Sequence, residues 1–200
     1  MNELDYCLNK VGVSSLIMPR NFKQSNYIEI VRQLVPAQGS STTIHSDRYP
    51  ELRHLILMDE VPEHGMLPFE ELYRNHSTSE SEAVANIAKR TRFEEAANIQ
   101  FTSGTTGYPK GATLSHHNLL NNAYFIGELM RYHPEERICV PVPLYHCLGM
   151  VNGNLGALCF GSSVIYPCEG YDVHAALSAV ENQMATVMIS VPTMWVAMLE

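Results

Sequence analysis

Between two apolar runs the chain carries FTSGTTGYPKGATLSHHN, residues 101–118, a stretch dense in glycine and hydroxyl side chains with a lysine at position 110. Gly104 and Gly107 can adopt positive φ and carry no Cβ, so backbone N–H groups there can converge on an anion. Ser103, Thr105 and Thr106 add hydroxyl donors for phosphate oxygens. Pro109 stiffens the exit, and Lys110 places a compact positive charge where polyphosphate charge accumulates. This inventory suits a triphosphate. It is not the Walker loop G-x-x-x-x-G-K-[ST]: counted from Gly104 the second glycine position falls on Pro109, and counted from Gly107 it falls on Ala112. No G-x-G-x-x-G fingerprint is present either. On composition alone, a solvated Ser/Thr/Gly surface loop is the competing reading.

A second group of reactive side chains lies downstream. His146 stands in PLYHCLGM, residues 143–150; a lone histidine is more often structural than ligand-binding, and only its surroundings argue otherwise. His116 and His117 sit at an expected helix start, where solvation or capping suits them better than metal binding, which on a helix uses i,i+4 spacing. Cys7, Cys139, Cys147, Cys159 and Cys168 show no CxxC pair and no finger-like spacing with histidine. They are expected to be reduced and mostly buried, and no metal site is assigned.

The elements that must hold these groups follow from hydrophobic spacing. Leu4, Cys7, Leu8 and Val11 share a helical face, VSSLIMP reads as a buried strand, and Tyr27, Ile28, Val31, Leu34 and Val35 predict an amphipathic helix closed by Pro36. HLILMD is a second buried strand after a loop at 38–51, and residues 62–92 combine a turn, a short helix at 69–73 and a surface helix at 80–89. NIQFTS and GATLS are strand-like and flank the glycine-rich loop. A helix with Ser115 as N-cap carries Leu119, Leu120, Ala123, Ile126, Gly127 and Met130. RICVPV, SSVIYP and ATVMISVP are further short apolar runs, with helical patterns at 148–160 and 173–184 between them. The fold class this predicts is α/β: a partial doubly wound, mostly parallel sheet with helices on both faces and ligands at the carboxyl ends of its strands.

Composition bounds the rest. Two hundred residues with 46% hydrophobic content suffice for one sizeable core, and a formal charge of −8 has the wrong sign for a surface tracking nucleic-acid phosphates. Residues 138–168 contain no Asp, Glu, Lys or Arg, yet Pro141, Pro143 and several glycines break the run, so no transmembrane segment is expected. The first residues resemble neither a signal nor a transit peptide, and the last ones are still helical in spacing; both ends are expected to belong to something longer.

TSGTTGYPKG, residues 102–111, resembles the signature loop of the adenylate-forming enzymes, which include acyl-CoA synthetases, luciferases and the adenylation domains of peptide synthetases. PLYHCLGM is similar to the next motif of that family, and ISVPTMWVAML resembles a further segment. Within the family the chain looks most like a mitochondrial medium-chain fatty-acid ligase. The resemblance implies that residues 1–200 are a single incomplete domain, part of the AMP-binding N-terminal domain, with the C-terminal domain absent. It implies ATP-dependent activation of a fatty acid to an acyl-adenylate and then to acyl-CoA, with ATP, Mg²⁺ and coenzyme A as participants. Thr102, Ser103, Gly104, Thr105, Thr106, Gly107, Pro109 and Lys110 would hold the polyphosphate, and His146 would orient the carboxylate or gate the thiol. The partners would be small molecules, without nucleic acid, and the location mitochondrial. The family's later motifs, an acidic residue for Mg²⁺, an aspartate for the ribose and a lysine on a mobile domain, find no counterpart here. A non-catalytic product with weak nucleotide binding or an interaction role is therefore the alternative. Gly149, Gly153, Gly156 and Ala157 read most simply as core packing, with room for an acyl chain as a second expectation.

Overall fold

The computed structural model describes residues 2–37, 39, 41–73, 77–102 and 109–200. These residues form two compact units, one from Met1–Arg90 with Phe101–Gly111 and the other from Thr91–Gln100 with Ala112–Glu200.

The first unit opens with α1 (Asn2–Lys10), followed by β1 (Ser15–Pro19), the short antiparallel pair β2 (Asn21–Phe22) and β3 (Ser25–Asn26), and α2 (Tyr27–Leu34). Asn26 caps α2 by accepting from the Glu29 N–H, and the helix ends before Pro36, as the spacing predicts. Next come β4 (His54–Met58), β5 (Leu67–Pro68), a 3₁₀ turn (Phe69–Tyr73) and the surface helix α3 (Thr78–Arg90). β4 lies between β1 and β5 and pairs parallel with both; its register with β1 runs from Ser15 opposite His54 to Pro19 opposite Met58. As the central strand it buries three consecutive residues, Leu55, Ile56 and Leu57, which is why HLILM is a continuous apolar run rather than an alternating one. Leu8 of α1 and Val31 and Leu34 of α2 close the core over it, together with Leu52 and Tyr49. The Asp5 carboxylate accepts from the Tyr49 hydroxyl at 2.7 Å and from the Arg48 guanidinium at 2.6 Å. Those two hydrogen bonds, Tyr49 first, hold Asp5 below the usual carboxylate range. Burial, then the hydrogen bond to Asp5, pushes the Tyr49 phenol up to about 12.

The second unit contains α4 (His116–Met130), β8 (Arg137–Cys139), a π-helix (Leu148–Leu155) running into α5 (Gly156–Phe160), β9 (Ser163–Ile165), α6 (Val173–Asn182), β10 (Val187–Met188) and α7 (Pro192–Leu199). Strands β6 (Ala96–Thr102) and β7 (Lys110–Ser115) precede α4 and are neighbours in a two-stranded sheet. Ser115 and Asn118 form the expected helix start as a reciprocal capping box. β8 is the centre of a parallel sheet ordered β10-β8-β9. α4 packs against the π-helix and α5. Gly127 makes that approach feasible, since a Cβ there would lie 2.2 Å from Cε2 of Phe160.

The α/β architecture with parallel strands thus matches the sequence reading, with the parallel pairs shared between two three-stranded sheets. Two details differ from expectation. RICVPV and ATVMISVP pair over only three and two residues, respectively. Pro141 and Pro143 have no N–H to give a ladder, and β8 ends at Cys139 ahead of them. The cysteines are all free, but only Cys139 is buried, while Cys159 is exposed and the other three are intermediate. Their placement on helix flanks and loops, not their apolar neighbours in sequence, decides this. No described helix is long and apolar enough to cross a membrane.

Candidate functional site

The stems of the glycine-rich loop come from adjacent strands. β6 ends at Thr102 and β7 begins at Lys110, and the Thr102 hydroxyl donates across the neck to the Lys110 carbonyl at a long 3.5 Å. Pro109 is half-buried, and Lys110 is exposed with no ion pair among the described residues. The strand pair therefore brings together Thr102, Pro109 and Lys110. Ser103, Gly104, Thr105, Thr106 and Gly107 lie outside the described residues.

Alternation along β6 places Asn98, Gln100 and Thr102 on one face and Ile99 and Phe101 on the other. This polar stripe was legible in the sequence but its use was not. Gln100 Nε2 donates to the Tyr145 carbonyl, 45 residues away, directly before His146. The Asn98 Oδ1 is buried without a hydrogen-bond partner among the described residues.

His146, in the second unit, is exposed and held by its surroundings on several sides. Its N–H donates to the Pro143 carbonyl at 3.2 Å, and its own carbonyl accepts from Gly149 N at 3.1 Å and Met150 N at 3.0 Å. The Leu148 N–H donates to the imidazole Nδ1 at 3.1 Å. An accepting Nδ1 is unprotonated, so the neutral ring carries its proton on Nε2, which is left to face outward. A donor in that position can hydrogen-bond a carboxylate or an acyl oxygen. His146 also sits where the chain winds into the π-helix, a conformation uncommon elsewhere and frequent at functional sites.

The small residues of that helix are used for packing. A Cβ on Gly149 would lie 2.6 Å from the Pro143 carbonyl oxygen, one on Gly153 2.9 Å from Cγ2 of Val140, and one on Gly156 3.1 Å from Cε2 of Tyr132. The space beside Gly153 is occupied by Val140, so the expectation of room there for an acyl chain is not met, and the core-packing reading holds. His116 and His117 also behave as structural residues: their N–H groups donate to the Glu95 and Phe93 carbonyls, and the His117 ring lies 5.5 Å from that of Phe93.

Among the described residues no group of three or more His, Cys, Asp or Glu side chains is arranged to hold a metal ion. Among the described residues no carboxylate set fits Mg²⁺.

The chain is similar to known proteins along its whole length. The chain is 38% identical over 203 residues to "Medium-chain acyl-CoA ligase ACSF2, mitochondrial" of Danio rerio, an alignment covering 100% of this chain and 33% of the relative. It is 37% identical over 206 residues to the Homo sapiens protein of the same name, covering 98% and 33%. The crystal structure of the anthranilate CoA ligase AuaEII in complex with anthranoyl-AMP superposes with a TM-score of 0.75 at 21% identity, covering 98% of this chain and 34% of that one. This likeness carries the fold alone. The chain spans about a third of the length of the curated relatives it matches. The family described as "AMP-binding enzyme" matches residues 1–200, and the chain belongs to it.

Proposed function

We propose that the protein carrying this chain activates a medium-chain fatty acid with ATP, first to an acyl-adenylate and then to acyl-CoA. The observation that carries this reading is the combination of TSGTTGYPKG with the 38% identity, along the whole chain, to a medium-chain acyl-CoA ligase. In the first step a carboxylate oxygen attacks the α-phosphorus of ATP, the α–β phosphoanhydride bond breaks, and pyrophosphate leaves. In the second the coenzyme A sulfur, having lost its proton, attacks the acyl carbonyl, and AMP departs with the electrons of the acyl–oxygen bond. Neither step needs a covalent enzyme nucleophile, so the chain's task is positioning and charge stabilisation.

Within this scheme Thr102, Ser103, Gly104, Thr105, Thr106, Gly107, Pro109 and Lys110 cradle the β- and γ-phosphates, Lys110 supplying the positive charge. His146, with Nε2–H outward, orients the carboxylate or guards the approach of the thiol. Mg²⁺ would be brought in by the nucleotide and would neutralise polyphosphate charge, with no described residue of this chain assigned to hold it. The chain forms part of an AMP-binding domain, and the mitochondrial names of its relatives support a mitochondrial location.

ATP–pyrophosphate exchange with a panel of fatty and aromatic acids tests the proposal on the full-length protein. Exchange should depend on a medium-chain acid and fall at least tenfold in Lys110→Ala, since a charge-assisted contact to phosphate is worth about 1.5–3 kcal/mol. A folded protein that exchanges with no acid would instead favour the non-catalytic alternative.

A further inference from the structure

The C=O of Tyr145 and the N–H of His146 belong to one peptide unit, and both are tied. Gln100 holds the carbonyl from β6, and the Pro143 carbonyl holds the N–H at 3.2 Å. A planar peptide fixed at both ends has a set orientation, and with the His146 carbonyl held in turn by the Gly149 and Met150 N–H groups, the rotation about N–Cα is restrained too, so the direction of the His146 Cα–Cβ bond is set from both sides. The Leu148 N–H then fixes the ring itself through Nδ1 at 3.1 Å. Of these anchors, Pro143 and Leu148 are within three residues of His146, and Gln100 alone reaches from another element. Tyr145 is 76% exposed, so packing of its side chain does not substitute for that link.

We propose that Gln100 is a positioning residue, acting through His146: by holding the Tyr145–His146 peptide it sets the direction in which His146 presents Nε2–H to the reacting acid. This rests on the adenylation reading above and extends it to a residue outside both motifs. Gln100 touches no reacting atom in this role. Its loss therefore weakens handling of the acid and leaves handling of ATP intact.

The test is a double-mutant cycle on the full-length enzyme with Gln100→Met, which keeps the length and removes the donor, and His146→Ala. Gln100→Met should lower kcat/KM for the acid by about two- to tenfold, the size expected for one neutral hydrogen bond, with KM for ATP unchanged. In the His146→Ala background the same change should have no further effect. Gln100→Glu is the companion variant: its carboxylate has no donor at neutral pH and regains one on protonation, so its deficit must narrow as the pH is lowered. Equal losses in both backgrounds, a loss confined to KM for ATP, or no loss would overturn the proposal.

An activity-independent arm uses the protein labelled with ¹⁵N-histidine. The wild-type His146 resonances should show the Nε2–H tautomer, and Gln100→Met should shift or broaden them as the ring's orientation loosens; an unchanged spectrum would overturn the proposal. If wild-type enzyme shows no exchange with any acid, the adenylation reading falls, and the spectral comparison alone decides the role of Gln100.

Discussion

Gly149→Ala offers the sharpest test of the π-helix geometry, because two physical effects predict opposite signs. In an ordinary helix interior, replacing glycine by alanine lowers the entropy of the unfolded chain and stabilises by roughly 0.5–1 kcal/mol. At position 149 the new methyl would lie 2.6 Å from the Pro143 carbonyl oxygen, 3.1 Å from its carbon and 3.2 Å from Cα of Leu144, all backbone atoms. Close carbon–oxygen contacts are about 3.3 Å, so one partner must move by several tenths of an ångström. No side-chain rotamer relieves this. The Pro143 carbonyl also accepts the His146 N–H, so the displacement passes directly into the turn that presents the imidazole. Overpacking of this kind costs about 1–3 kcal/mol, which exceeds the propensity gain. In a two-state unit of about 100 residues, 1 kcal/mol shifts Tm by roughly 4–8 °C. Thermal unfolding of the full-length protein should therefore show the Gly149→Ala transition lower by several degrees, together with a raised KM for the acid. A Tm equal to or above that of the wild type would refute the packing argument.

Two further outcomes follow from the same structure. Gly127→Ala should destabilise through its contact with the Phe160 ring, whose Cε2 would lie 2.2 Å away, and Phe160→Leu in the same molecule should recover part of the loss; strictly additive effects would show that the two do not meet. The Asp5–Tyr49 pair should shape both ends of the stability–pH curve. The Asp5 pKa is lowered on folding, so its contribution is present above the ordinary carboxylate pKa and lost as pH falls through the lowered value; Asp5→Asn should flatten the acid limb. The Tyr49 pKa is raised to about 12 on folding, so its contribution is present below pH 10 and lost as pH climbs through 12. Absorbance titration should find late-ionising tyrosines, Tyr49 and Tyr132 among them, and Tyr49→Phe should remove one of these. A titration in which all tyrosines ionise together near pH 10 would contradict the buried hydrogen bond.

The glycine-rich loop, the Ser115 cap and the run of His54–Met58 were legible in the sequence because each rests on short-range chemistry. A capping box needs residues three apart, and a doubly covered strand needs only an unbroken apolar run. The π-helix was legible only as a helix. Over eight residues made mostly of small or aliphatic side chains, the difference between an i+4 and an i+5 ladder leaves no periodicity to read. The exposure of Cys159 was misjudged for a related reason: a charge-free sequence neighbourhood does not say which side of a helix meets a partner.

By itself the sequence determined the glycine- and hydroxyl-rich inventory at 102–110, the α/β alternation, the helix starts and the family to which the chain belongs. These depend on residue type and local spacing, which the chain carries wherever it folds. The tertiary structure decided which strands pair, that Gly149 and Gly153 are filled by Pro143 and Val140, that His146 presents Nε2–H, and that Gln100 reaches Tyr145. Each of these depends on a backbone path or a packing contact, and for Gln100 the partner stands 45 residues away. The entropy of closing such a loop is met by the whole core and by no local signal, so nothing in the spacing of residues announces where the ends will meet.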